Sequence, residues 1–163
     1  MKKICILFLV ASATMFGQTK LDKLLDKWNT RNVPYISVET LAMPKTTAIL
    51  LDAREENEFN ISHLENAICV GYDNFKIKET IAKLPKDKNA KIVVYCSLGI
   101  RSETVAHKLI KEGYTNVYNL YGGIFEWKNA DFKVIDTLGK STEKVHTFNK
   151  SWSKWLKKGE KVY

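Results

Sequence analysis

Four short apolar runs constrain this chain more than anything else in it. They are residues 48–52 (AILLD), 67–70 (AICV), 91–96 (KIVVYC) and 116–120 (NVYNL). Each has strand length and none alternates cleanly between apolar and polar, the pattern of strands covered on both faces. Helical patterns lie between and around them. Leu21, Leu24, Leu25 and Trp28 recur at i, i+3, i+4 and i+7. Val105, Ala106, Leu109 and Ile110 share one face of a helix over 102–112, which Gly113 stops. Ile36 opens a brief strand, and Ser37 caps a short helix through Leu41. Charged residues 54–59 predict a helical turn or two, residues 75–84 a helix ending at Pro85, and Gly122-Gly123 a turn into a helix over 124–129. Short apolar strands alternating with helices predict an α/β domain built on a mainly parallel sheet. Ligands of such sheets bind just beyond the carboxyl ends of the strands, and Cys96 stands at one such end.

A length of 163 residues suits one compact domain. With 45% apolar and 27% charged residues, the chain is neither disordered nor wholly membrane-embedded. Lys+Arg at 26 against Asp+Glu at 18 gives a net charge of +8, but the excess is local. Residues 140–163 hold seven lysines and two glutamates, and residues 2 and 3 are both lysine, so residues 18–139 are nearly neutral. Global charge therefore says little about the ligand, and no nucleic-acid-binding motif is present, so no nucleic acid partner is expected. Lys2 and Lys3, the apolar run 4–10 and the small residues that follow have the layout of a secretory signal, with cleavage after Gly17 favoured over Ala13. The expectation is an exported protein, periplasmic or extracellular. Removal of residues 1–17 leaves only Cys69 and Cys96. Two cysteines make no disulfide scaffold, and the three scattered histidines offer no metal-ligand spacing, so neither a metal nor a cofactor is expected.

The chemistry concentrates in residues 96–102, Cys-Ser-Leu-Gly-Ile-Arg-Ser, a strand end running through a tight loop into a helix. Such a loop turns several backbone N–H groups toward one point. A thiol placed there is held as its anion and becomes a nucleophile, and Arg101 adds a positive charge beside it.

Residues 96–102 resemble the active-site loop of single-domain rhodaneses, the sulfurtransferases. The likeness extends to Leu51-Asp52-Ala53-Arg54-Glu55 with Phe59, His63, Leu64 and Ala67, and to Leu120-Tyr121-Gly122-Gly123-Ile124 with Trp127, over about residues 35 to 135. Ser62 stands where glycine is usual before the histidine, and Glu65-Asn66 replaces the usual Pro-Gly. The resemblance implies a rhodanese-like three-layer domain over 35–139, after a helix and linker at 18–34 and before a basic extension at 140–163. It implies a sulfurtransferase in which Cys96 is the nucleophile. The Cys96 thiolate takes the outer sulfur of thiosulfate or a similar small anionic donor, then passes it from a persulfide to cyanide or a thiol. Ser97, Leu98, Gly99, Ile100, Arg101 and Ser102 form the substrate-binding loop, with Arg101 pairing the anionic donor, and Asp52 and Arg54 brace that loop by hydrogen bonds. The alternatives are a non-catalytic sulfur-carrier, sensor or protein-binding module and, third, a small phosphatase or arsenate reductase. Related phosphatases carry a loop one residue longer than the C-x4-R spacing of Cys96 and Arg101. His63 reads as structural and Cys69 as a core residue, with a resolving thiol as its sharper reading. In the extension, Phe148, Trp152, Trp155 and Leu156 fall at i, i+4, i+7 and i+8 between lysines. This predicts a basic amphipathic helix packed on the domain, or else making weak contact with a membrane surface.

Overall fold

The computed structural model describes residues 19–163. Its centre is a five-stranded sheet of β1 (Tyr35–Ile36), β2 (Ile49–Asp52), β3 (Ile68–Cys69), β4 (Ile92–Tyr95) and β5 (Val117–Leu120), in the order β1-β5-β4-β2-β3. Every pairing in it is parallel. β4 is the central strand and all four of its residues are buried, which is why its sequence runs apolar without alternation. Val93 and Tyr95 enter the core on one face of the sheet, and Ile92, Val94 and Cys96 enter the core on the other.

Among the described residues six helices surround the sheet: α1 (Lys20–Trp28), α2 (Val38–Ala42), α3 (Glu56–Ile61), α4 (Ile77–Ala82), α5 (Arg101–Lys111) and α6 (Gly123–Asn129). The caps are legible in the chain. Thr19 Oγ1 accepts from the Asp22 N–H at 3.0 Å while Asp22 returns the bond to the Thr19 N–H, a capping box at the start of α1. Ser37 accepts from the Thr40 N–H at 3.2 Å and starts α2. α5 buries Val105, Ala106 and Leu109 under the sheet, the stripe expected from their spacing. The expected α/β fold, a mainly parallel sheet flanked by helices, is therefore the observed one.

The C-terminal extension is not the amphipathic helix its spacing predicts. β6 (Val134–Ile135) pairs antiparallel with β7 (Ser141–Thr142), and β8 (Lys144–His146) pairs parallel with β9 (Glu160–Val162). Between β8 and β9 there is only a single 3-10 turn, at Ser153–Trp155. Local and tertiary hydrogen bonds compete successfully with a helix here. Phe148 holds a left-handed backbone at φ 64, and Asn149 Oδ1 accepts from the Trp152 N–H at 3.1 Å. Asn129 of α6 donates to the Trp155 carbonyl at 3.0 Å and accepts from the Lys157 N–H at 2.7 Å. Leu156 is buried, and Trp152 and Trp155 pack against the core. The interfacial helix that the spacing predicts is thus not formed in this segment. Among the described residues no helix is long and apolar enough to cross a membrane. The expected signal sequence, residues 1–17, lies outside the described residues.

Candidate active site

Cys96 follows the last residue of β4 and is 2% exposed. The chain turns through residues 97–100 and enters α5 at Arg101, so the thiol lies at the positive end of an eleven-residue helix. The Gly99 N–H donates to Cys96 Sγ at 3.1 Å, and the Ser102 hydroxyl lies 3.5 Å from the sulfur. Gly99 has φ 98, a conformation that suits glycine, and this turns its N–H back toward the thiol. Its carbonyl is pinned from two directions, by Asn29 Nδ2 and by Asn119 Nδ2, each at 2.8 Å. Asn119 also accepts from the Ser102 hydroxyl at 2.7 Å, so one buried amide on β5 ties the middle of the loop to the first turn of α5. Behind the loop sits the Gly122-Gly123 turn. Ile124 donates to the Cys96 carbonyl at 2.9 Å and Phe125 to the Ser97 carbonyl at 3.2 Å.

Burial by itself would push the Cys96 thiol up. The charge of Arg101, the Ser102 hydroxyl and backbone N–H groups of Ser102 and Leu98 outweigh it and hold the thiol below its ordinary value. A lower pKa puts the thiolate, the reactive form, at lower pH. Alkylation of Cys96 by iodoacetamide should accordingly reach half its maximal rate at a lower pH than alkylation of a free cysteine. Arg101→Gln should move that midpoint upward; a midpoint that stays put would show that Arg101 does not tune the thiol.

Arg101 is not the free anion receptor that the sequence suggests. Its Nη1 donates to Glu58 Oε2 at 2.6 Å and its Nη2 to Glu58 Oε1 at 2.8 Å, a bidentate pair in which Glu58 is buried. Nη2 also donates to the Ser97 hydroxyl at 3.0 Å. Burial would raise the Glu58 carboxyl, but Arg101 overrides this and keeps it below the usual carboxylate range. The ring of Phe148 covers the guanidinium at 4.9 Å. His146 Nδ1, 4.0 Å from Glu58, accepts from the Phe148 N–H at 3.1 Å. Burial pulls the His146 pKa down, consistent with a neutral ring whose Nδ1 is an acceptor. His146 of β8 thereby holds the turn that carries Phe148, and β8 packs against α3.

Asp52 and Arg54 form a fully buried ion pair at 2.6 Å rather than a surface one. The expected hydrogen bonds to the loop are not what they make. Arg54 Nη2 donates to the Ser62 carbonyl at 2.7 Å, and the Arg54 N–H donates to Asp52 at 2.9 Å. The pair thus fixes the start and the end of α3, the helix that supplies Glu58 to Arg101 of the loop. Truncating either partner leaves an unpaired buried charge, at a cost of about 3–5 kcal/mol. His63 is structural, its Nδ1 3.1 Å from the Phe59 carbonyl and its ring stacked on Phe59 at 3.8 Å. Cys69 pairs in register with Asp52, which pairs with Tyr95, so it lies two strand spacings, roughly 10 Å, from the strand bearing Cys96. That is too far for a disulfide without backbone movement. Burial raises the Cys69 thiol, and Cys69 and Cys96 are both free among the described residues.

Residues 38–130 match the rhodanese-like domain family. The chain belongs to that family. Among curated relatives, a tRNA uridine(34) hydroxylase of Hamiltonella defensa is 32% identical over 117 residues, covering 71% of this chain and 31% of the relative. The Candida albicans adenylyltransferase and sulfurtransferase UBA4 is 37% identical over 126 residues, covering 74% of this chain and 28% of the relative. The rhodanese-like chain described here therefore spans less than a third of the length of either protein. Among solved structures, a rhodanese-related protein from Thermoplasma volcanium superposes with a TM-score of 0.55 at 25% identity, over 63% of this chain and 97% of that one. A thiosulfate sulfurtransferase from Pseudomonas aeruginosa shares the fold, with a TM-score of 0.58 at 24% identity, over 68% of this chain and 21% of that one.

Glu58, Asn119, Asn29 and Phe148 are the site residues that sequence reasoning overlooks. Asn119 had a signal, a lone amide inside an apolar strand that must be satisfied when buried. Glu58 sits in a run of charged residues that looks like a solvated helix face.

Proposed function

We propose that this rhodanese-like protein is a sulfurtransferase that carries a sulfane sulfur as a persulfide on Cys96. The observation that carries this reading is the buried Cys96 thiol at the start of α5, facing the Gly99 N–H at 3.1 Å with its pKa held down. The Cys96 thiolate attacks the outer sulfur of the donor. A new S–S bond forms as the donor's own bond to that sulfur breaks, and the electron pair leaves with sulfite when the donor is thiosulfate. A thiolate or cyanide then attacks the outer sulfur of the persulfide, and the Cys96 thiolate is the leaving group. Amides of residues 97–102 supply fixed dipoles for the anionic sulfur without a change of geometry.

The C-x4-R spacing and the occupation of Arg101 by Glu58 both weigh against a phosphatase, whose arginine must be free to grip a tetrahedral anion. The sulfurtransferase named among the relatives agrees with the reading, whereas hydroxylation of tRNA is not carried over from a protein of which this chain spans 31%. Export belongs to the same proposal and rests on the layout of residues 1–17. One intact-mass measurement on natively expressed protein tests both parts. The mature chain should begin at Gln18, and incubation with a sulfane donor should add one sulfur atom to Cys96, removable by cyanide. Retention of residues 1–17 would overturn export, and an unchanged mass with every donor would overturn the persulfide chemistry.

A further inference from the structure

Three of the eight residues lining the mouth of the site, all of them aromatic, lie outside the span shared with the family. Trp28 of α1 and Phe148 and Trp152 of the C-terminal extension stand around Cys96 together with Leu98 and Ile100. With Ser97 and Arg101 they line an open pocket of about 150 Å³ with the thiol at its wall. An apolar cavity of about that size holds one benzene ring. Trp28 and Phe148 are 58% and 50% exposed, so the collar is open to an incoming ligand. The one cation lining it, Arg101, is bound by Glu58 and roofed by Phe148. A small dianion entering here meets aromatic faces and an arginine whose fork is already engaged by Glu58 and Ser97. A sulfur compound with an apolar body meets a surface that matches it.

We propose that this aromatic collar selects organic sulfane donors, persulfides or thiosulfonates with a small apolar or aryl group, over thiosulfate. The proposal rests on the persulfide chemistry above and names the substrate class of that site. With a thiosulfonate, the Cys96 thiolate attacks the terminal sulfur and the bond from that sulfur to the sulfonyl sulfur breaks. The electron pair departs with the sulfinate, and the transferred sulfur keeps its negative charge as the persulfide anion, so no oxidant or reductant is consumed. The apolar group occupies the space between Phe148, Trp152 and Trp28 while the reacting sulfur faces the loop amides.

The test compares benzenethiosulfonate, methanethiosulfonate and thiosulfate as donors to the full chain, with cyanide as acceptor. The two thiosulfonates have the same charge and react at the same sulfur, so the change in the ratio of their kcat/KM values when the collar is substituted isolates its contribution. We expect the phenyl compound to be favoured over the methyl one by about tenfold, and Phe148→Ala or Trp152→Ala to bring that ratio close to unity. Phe148→Leu, which keeps an apolar side chain but removes the ring, should give an intermediate ratio and guards against a folding defect in the alanine variants. Sulfur loading of Cys96 by all three donors, with thiosulfate preferred to the phenyl compound, or with a phenyl-to-methyl ratio near one in wild type or unchanged in the variants, overturns the collar alone. Failure of all three donors to load Cys96 overturns the sulfurtransferase reading and the collar with it.

Discussion

Cys96→Ser should abolish sulfur transfer, lowering thiocyanate formation from thiosulfate and cyanide by at least about 10³-fold. The expected loss is chemical rather than structural. A serine hydroxyl fits the position of Sγ and can still accept the Gly99 N–H, so the loop keeps its hydrogen bond. A hydroxyl is not ionised near neutral pH even at a helix N-terminus, and it is a poor nucleophile toward sulfane sulfur. Thermal unfolding monitored by circular dichroism should therefore be close to wild type while activity is lost. Comparable turnover in the two proteins would remove Cys96 from the mechanism. It would also leave the depressed thiol pKa without a catalytic use.

Gly123→Ala should be the most damaging single-methyl change to the fold near the site. Gly123 has φ 56, and a Cβ built there would lie 2.2 Å from the Cys96 carbonyl oxygen and 2.8 Å from Ser97 backbone atoms. Backbone cannot swing aside as a flexible side chain can. The same carbonyl accepts from the Ile124 N–H at 2.9 Å, so moving it also breaks a hydrogen bond. Together these predict a loss of about 3 kcal/mol, read as a lower midpoint in urea. Gly139→Ala is the matched control. It has φ 74 with nothing within 4 Å of the added methyl, and should cost only about 1 kcal/mol. Because the displaced atoms belong to Cys96 and Ser97, Gly123→Ala should also slow persulfide formation, whereas Gly139→Ala should not. Equal destabilisation by the two substitutions would refute the steric argument.

Most of the scaffold was readable from local pattern because its elements are set by nearest neighbours. Buried strands such as β4 advertise themselves as unbroken apolar runs, α1 by the spacing of Leu21, Leu24, Leu25 and Trp28, and α2 by its cap Ser37. The tail defeated the same method. Phe148, Trp152, Trp155 and Leu156 have helical spacing, yet Asn129, about 26 residues earlier in the chain, takes the hydrogen-bonding groups a helix would need. Periodicity reports only that a face is apolar, and a surface loop folded onto a core can present such a face without helical backbone. Arg101 shows the same limit in the site. Its position beside Cys96 is a matter of spacing, but its pairing with Glu58 spans 43 residues and has no local signature.

The sequence by itself determined the parallel α/β scaffold, the strand end that bears Cys96 and the glycine-containing turn into α5. These follow from residue order over a few positions, where sterics and helix capping act. Only the tertiary structure decided what surrounds the thiol. It brought Asn119 and Asn29 onto Gly99, spent the charge of Arg101 on Glu58, and set Phe148 and Trp152 across the mouth from Trp28. Each of these contacts joins segments far apart in the chain. Burial drives them together, and the need to pair every buried charge and amide then selects the partners.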